Sequence, residues 1–443
     1  MRRQWLTMSA GALGRGIAAG QIDPLELTGA YLDAIAAHPM TPRIYARVTA
    51  ERALAEAEAA RRRAGSGHRL SPLDGVPISW KDLFDTAGIA TEAGSALLQG
   101  RVPEADAEVL RNATAAGAVC LGKTHMSELA FSGLGLNPVT QTPPCLNDAD
   151  AVPGGSSSGA AASVAFGLAS CGIGSDTGGS VRIPAAWNDL VGLKTTAGRL
   201  SLKGVVPLAE SFDTVGPLCR TVEDAALMLA MLEGGRAADL RGASLTGVRL
   251  MVLDTIAMDG LRGAPRAGFR SAVERLQAAG ATVAHREIPE VEQAMELAGV
   301  LFTTEAYATW KDVIEAAPEK MFPAILERFR AGRDYGGVAF VSAWQKLRRL
   351  RRVWADKTAG FDAIIIPTAA NLPPDAKRLM ADTEYYVTEN LLTLRNTRIG
   401  NLMGGAALSL PTGLPSTGIM FLTPPHSEER LLRLGAAAEA ALA

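Results

Sequence analysis

Between residues 66 and 230 the chain repeatedly places a short apolar run beside a cluster of glycine and serine. Val76–Ser79, Ala118–Leu121, Ala169–Ile173 and Val215–Leu218 are too short for stable helices and read as strands. Helix-like segments lie between them. Strands that alternate with helices need cover on the faces of a sheet, so the expected fold class is α/β. Glycine makes up 46 of 443 residues, above the usual ~7%. It is clustered rather than periodic, which excludes a collagen-like repeat and marks places where the backbone needs special geometry.

The rest of the chain extends this pattern. Residues 1–65 read as an N-terminal helical segment packed on the core, ending in an Ala/Glu/Arg-rich helix over 49–64. Residues 66–230 form the glycine-rich core, and residues 231–247 are a connection. Val248–Leu253 and Ala281–Val283 suggest a strand–helix–strand unit around Phe269–Ala279. Residues 286–360 read as helical. Ala363–Thr368, Ala406–Leu410 and Gly418–Leu422 look like buried strands, and Ser427 is a credible N-cap for the last helix. Residues 231–443 are therefore expected to be a variable helical region plus C-terminal strands and a helix that complete the same single domain.

Composition removes several function classes. Lys+Arg 44 against Asp+Glu 46 gives a net charge of −2, so no field is built for nucleic acid or an anionic membrane. The one basic run, Lys346–Arg352, reads as a solvated helix face with Leu347, Leu350 and Trp354 inward. No apolar run reaches the ~18 residues of a membrane span. Five histidines make a multi-histidine metal site unlooked-for. Cys120, Cys145, Cys171 and Cys219 form no CxxC pair and read as reduced, buried residues of a cytoplasmic protein. Arg2-Arg3-Gln4-Trp5-Leu6 resembles an export signal, but Gly14-Arg15-Gly16 interrupts the apolar stretch such a signal needs. Two amphipathic helices around a Gly20–Pro24 turn fit that segment better.

Two nucleotide- or esterase-like motifs fail on context. Gly117–Thr124 fits GxxxxGK[ST], yet a phosphate loop follows a strand and opens a helix. Here Glu108–Ala116 is helix-like and Ala118–Leu121 is strand-like. Gly155–Gly159 fits the GxSxG elbow centred on Ser157, which needs a downstream histidine. Only His285 and His426 follow, and both sit in surface-like contexts. A Ser157 esterase stays a distant alternative.

Three sites remain. In Gly75–Asp82, Lys81 directly follows an apolar strand, where an ammonium is costly to bury. It either reaches water or a carboxylate such as Asp82 or Asp85, or is desolvated into a base. In Pro153–Gly159, three serines follow a double glycine and enter a small-residue helix (Ala160–Leu168) that should be buried. In Gly174–Arg182, successive glycines let backbone N–H groups converge on one point beside Ser180. Each also has a bland reading: a paired lysine, an ordinary N-cap, a simple glycine loop.

Together, in this order, the three sites resemble the amidase signature family of Ser–cisSer–Lys hydrolases. The likeness runs through Val191–Lys194, Gly198-Arg199, Ser211–Pro217 and Gly122-Lys123-Thr124. It is closest over about 66–220 and weakest over 231–400. The resemblance implies a central mixed, twisted β-sheet covered by helices on both faces. It implies Ser180 as nucleophile, Lys81 as base and Ser156 as the proton relay, with the Gly155–Ser156 peptide cis. The amides of Thr177, Gly178, Gly179 and Ser180 would form the oxyanion hole. Asp176 and Arg182 would brace the loop, and Ser157 would hydrogen-bond the lysine or nearby backbone. No metal or cofactor is implied.

The chain departs from the family pattern at Ser79-Trp80, His125 and Asn188-Asp189, and in a shortened Gly413–Met420 segment. These departures put the substrate pocket in doubt and leave the triad untouched. Trp80, Met126, Phe131, Leu134, Leu136 and Met420 are the candidate apolar pocket residues, unless they are simply core. The expectation is a monomer or homodimer that cleaves small hydrophobic or aromatic amides, and also aryl esters and carbamates or urethanes. The main alternative within the family is the glutaminase subunit of a tRNA-dependent amidotransferase.

Overall fold

The computed structural model describes residues 2–443. Its strands are β1 (Tyr45–Val48), β2 (Pro77–Lys81), β3 (Val119–Thr124), β4 (Cys171–Ser175), β5 (Val191–Lys194), β6 (Val215–Cys219), β7 (Arg249–Leu253), β8 (Thr282–Arg286), β9 (Ala363–Pro367), β10 (Ala406–Pro411) and β11 (Gly418–Thr423). They form one 11-stranded sheet in the order β1-β3-β2-β4-β6-β5-β10-β11-β9-β7-β8. The sheet is mixed: β2 runs parallel to β3 and β4, whereas β10 is antiparallel to both β5 and β11. Strands from all three stretches of the chain enter it.

Every residue of β2, β3, β4, β5, β6 and β9 is buried. These strands therefore read as continuous apolar or small-residue runs rather than as alternations. At the β8 edge the burial falls away, and Thr282, His285 and Arg286 are exposed.

Two strands were not expected. Tyr45–Val48 pairs antiparallel with β3 and interrupts the segment read as helical. Tyr45 is buried but Val48 is exposed, and the run Tyr-Ala-Arg-Val carries little pattern. Val191–Lys194 pairs with β6 and β10; four residues with a central glycine are too few to show a period. The N-terminal pair of helices, Ala10–Ala18 and Pro24–Ala37, brackets the expected turn. Leu13, Ile17, Leu27, Tyr31 and Ile35 are buried. The last helix spans Glu428–Leu442 with Ser427 at its N-cap position, as expected, but the Ser427 side chain makes no capping hydrogen bond. The Ser427 hydroxyl donates to the Pro424 carbonyl (2.5 Å) and Thr423 Oγ1 (2.9 Å) instead of accepting from the helix amides. Among the described residues, no helix is long and apolar enough to cross a membrane.

The C-terminal ends of the parallel neighbours β2 and β4 lie side by side, with Trp80 opposite Ile173. That register brings Lys81 next to Gly174 and Ser175. The helix Ser158–Ala165 packs directly over β4, which fixes the small-residue content of both. A Cβ on Gly174 would lie 2.5 Å from Ser157 Oγ, so only glycine lets the serine turn approach the strand this closely. The sequence Cys-Gly-Ile-Gly-Ser thereby places the Ser156–Ser158 turn against the end of β2.

Candidate active site

Lys81 is fully buried, as are Ser156 and Ser157. Its Nζ donates to Ser156 Oγ at 2.7 Å and to Ser175 Oγ at 2.8 Å. Neither candidate carboxylate reaches it. Asp82 pairs with Lys123 (3.3 Å) and Arg47 (3.5 Å), and Asp85 with Arg101 (2.6 Å). Burial therefore lowers the Lys81 pKa to about 7, and the more distant charges of Asp213 and Asp176 offset this only in part. An amine with neutral hydroxyl partners and this pKa is suited to accept a proton near neutral pH.

Ser156 follows a cis Gly155–Ser156 peptide. Its carbonyl accepts from Ser127 N (3.1 Å), and Ser157 N donates to the Ser180 carbonyl (3.2 Å). Ser157 Oγ faces away from solvent: it donates to the Ser175 carbonyl (3.2 Å) and accepts from Ser175 N (3.3 Å). No histidine joins it. His285 is exposed on the edge strand and pairs with Asp254 (2.8 Å). The structure thus gives the GxSxG pattern a packing role on β4.

Asp176, after β4, organises the glycine loop. Its carboxylate is held by Arg182 Nε (2.9 Å) and Nη2 (2.8 Å), and by Asn401 Nδ2 (3.0 Å). Burial alone would raise the Asp176 pKa, but the paired Arg182 outweighs it and keeps the carboxyl well below the usual carboxylate range. Arg182 also donates to the Thr397 carbonyl (2.7 Å) and Asn401 Oδ1 (2.6 Å), which ties the loop to the helix Thr383–Met403. Removing one partner of such a buried pair leaves an uncompensated charge, at about 3–5 kcal/mol. Arg182→Met is therefore expected to lower unfolding free energy by roughly that amount, measured by urea denaturation. An unchanged midpoint would mean the pair does not brace the fold.

The same carboxylate changes the expected set of four amides. Gly179 N donates to Asp176 Oδ1 at 2.9 Å, so it faces the carboxylate rather than open space. Among the described residues, the amides of Thr177, Gly178 and Ser180 have no protein acceptor. Gly179 has φ +137, and a Cβ there would lie 2.1 Å from Thr397 Oγ1. Gly179→Ala should therefore deform the loop and lower kcat by at least roughly tenfold, in a steady-state assay. Full activity would show that the loop tolerates the shift. Thr177 Oγ1 donates to Asp213 Oδ1 (2.5 Å), and Asp213 also accepts from Leu208 N (2.9 Å).

Ser180 lines a narrow slot with Thr177, Gly178, Ala130, Phe131, Leu208 and Arg398. Its hydroxyl makes no hydrogen bond among the described residues. The slot, about 20 Å³, shares Phe131, Phe302, Arg328 and Arg398 with an adjoining chamber of about 360 Å³.

Of the apolar candidates only Phe131 lines this cleft. Trp80 lies within β2 and packs edge-on against Phe84 at 5.3 Å. Met126, Leu134 and Leu136 are buried away from the slot. Met420, in β11, lies beneath the loop with its Sδ 3.2 Å from Arg182 Nη1. Their proximity in sequence to the motifs reflects core packing around the site. Sequence reasoning missed Ser175, Thr397, Asn401, Arg328 and Arg398. Ser175 had a signal, since it ends the strand that must lie beside Lys81. Arg328 and Arg398 had none, because nothing local says that their helices fold over Ser180.

Residues 26–432 match the family model described as Amidase. The chain is 34% identical to the 2-amino-5-chloromuconic acid deaminase of Comamonas testosteroni, over 98% of this chain and 97% of that protein. It is 33% identical to the A subunit of the glutamyl-tRNA(Gln) amidotransferase of Acidothermus cellulolyticus, over 96% and 92% of the two chains. It superimposes on the native peptide amidase of Stenotrophomonas maltophilia with a TM-score of 0.84 at 28% identity, covering 98% and 97% of the two chains. With the family model spanning nearly the whole chain and relatives matched end to end, this chain belongs to the amidase (amidase signature) family and is an amidohydrolase.

Proposed function

We propose that the protein hydrolyses C–N bonds of small amides through an acyl-enzyme on Ser180. The observation that carries this reading is the buried Lys81 Nζ, 2.7 Å from Ser156 Oγ and without a carboxylate partner. Neutral Lys81 accepts a proton from Ser156, which accepts one from Ser180. The Ser180 oxygen attacks the carbonyl carbon, and the oxyanion that forms is held by the amides of Thr177, Gly178 and Ser180. The C–N bond breaks as Ser156 returns the proton to the leaving nitrogen. Water then attacks the ester by the same relay, releasing the carboxylic acid. Esters and carbamates present the same carbonyl and fall within reach of this machinery. Asp176 and Arg182 position the loop, and no step calls on a metal or cofactor.

The test is labelling of the purified protein with a fluorophosphonate probe. A single adduct on the peptide containing Ser180 is expected, forming faster at pH 8 than at pH 6 because Lys81 loses its proton near pH 7. An adduct on Ser157, or none, would overturn the assignment. A second reading, as a glutaminase component of a larger complex, is favoured by the relatives that are amidotransferase A subunits. Hydrolysis confined to glutamine, or appearing only with partner proteins, would select it. Absence of glutamine hydrolysis alongside cleavage of simple amides would exclude it.

A further inference from the structure

Most arginines in the interior of this protein have an acid to face. Arg182 takes Asp176, Arg101 takes Asp85, Arg52 takes Asp106 and Arg199 takes Glu428. Two do not. Arg328, from the helix Pro323–Arg330, and Arg398, from Thr383–Met403, have no ion pair or hydrogen bond among the described residues. Both line the slot at Ser180 and the chamber beyond it. Arg328 lies over the Phe131 ring at 4.4 Å, which supports its face and leaves the N–H edge of the guanidinium free. Arg398 lies against the glycine loop: its Nε is 3.9 Å from where a Cβ on Gly178 would stand. Burial, with a smaller contribution from repulsion by Arg328, lowers the Arg398 pKa to about 9.

The other polar groups of the chamber do not compensate these charges. Asn390 turns its carbonyl to Gly133 N (2.9 Å) and Ser132 Oγ (3.3 Å), and its amide donor has no partner among the described residues. The one acid on the wall, Glu327, is exposed and lies 3.7 Å from Arg330. The cleft therefore offers N–H donors and positive charge, with no internal anion. Two like charges held together without a counterion are unfavourable in the free protein. They become favourable when a ligand supplies the counterion, and a planar guanidinium fork matches a carboxylate.

We infer that Arg328 and Arg398 form a carboxylate-recognition subsite, and that the substrate is a primary amide whose acyl chain carries a carboxylate. This rests on the Ser180 reading above and names its substrate class. The slot at Ser180, about 20 Å³, has room for ammonia as the leaving group. The chamber of about 360 Å³ receives the charged end of the acyl chain. An anionic substrate departs from the small hydrophobic or aromatic one expected from sequence. Glutamine fits less well, because its ammonium would enter a site that already holds two cations.

The experiment compares ω-carboxy amides, succinamate and glutaramate, with their neutral methyl-ketone isosteres, 4-oxopentanamide and 5-oxohexanamide. The wild-type protein should prefer the carboxylate by at least roughly 100-fold in kcat/KM. In Arg328→Gln and Arg398→Gln that ratio should collapse toward one, chiefly through a rise in KM for the carboxylate. Succinate should raise the Tm of the wild type and not of the variants. The variants themselves should melt no lower than the wild type, because each removes a charge without a partner; a lowered Tm would indicate a structural role instead. Equal or faster cleavage of the ketones by the wild type, or variants that keep the preference, would overturn the inference. Fluorophosphonate labelling of Ser180 in the same samples separates this failure from failure of the hydrolase reading.

Discussion

Ser180→Ala should lower kcat by roughly 10⁴-fold or more while leaving the fold intact. Ser180 is the hydroxyl of the serine cluster that lines the cleft, and it makes no hydrogen bond among the described residues. Ser156 and Ser157 are both fully buried, so neither can replace it as the attacking group. The substitution removes one oxygen from a slot wall, and no buried polar group loses a partner. The variant should therefore show the same circular dichroism and a Tm close to that of the wild type. What residual turnover remains would come from the free amides and from substrate binding. More than about one per cent of wild-type activity would mean that another group attacks the carbonyl.

Lys81→Met should be nearly as damaging, with a loss in kcat/KM of about 10²–10⁴-fold, and it also removes a feature of the pH profile. Methionine is close to lysine in length and lacks its amine, so the buried space stays filled. The lysine acts as a base only when neutral. Its pKa of about 7 makes the wild-type rate rise as pH increases through that value and level off above it. Above about 7 the wild type works at its plateau, and below it the protonated amine donates to Ser156 and Ser175 and cannot accept a proton. The variant should lose that limb. A wild-type rate flat across neutral pH, or a variant that keeps the limb, would assign the base to another group. Asp213 and Asp176 are the charged groups that favour the protonated amine, so Asp213→Asn should move the limb to lower pH.

The chain reads clearly wherever chemistry and local geometry coincide. The apolar runs at β2, β3, β4, β6, β9, β10 and β11 are short, and each is a strand within three residues of its expected limits. The serine and glycine clusters could be singled out because a cap or a loop needs fewer such residues. Strand β1 and strand β5 were hidden, because four residues do not establish a period and their pairing partners lie far away in the chain. The expected pocket failed for a related reason. Trp80 and Met420 are adjacent to motif residues in sequence, but neighbouring strand residues point to opposite faces of a sheet. Nearness along the chain does not place a side chain in the cleft.

By itself the sequence determined the α/β class, the family resemblance, the lysine at a strand end and the serines of two glycine-rich turns. These follow from local rules: how long a run is, where glycine frees the backbone, and how costly a buried ammonium would be. Only the tertiary structure decided what surrounds them. It directed Gly179 N to Asp176, gave Lys81 two hydroxyl partners and no acid, and brought Arg328 and Arg398 together over Ser180. Those outcomes depend on which helices pack across the end of the sheet. Charges some 70 residues apart in sequence meet without a counterion only once the fold has closed around them.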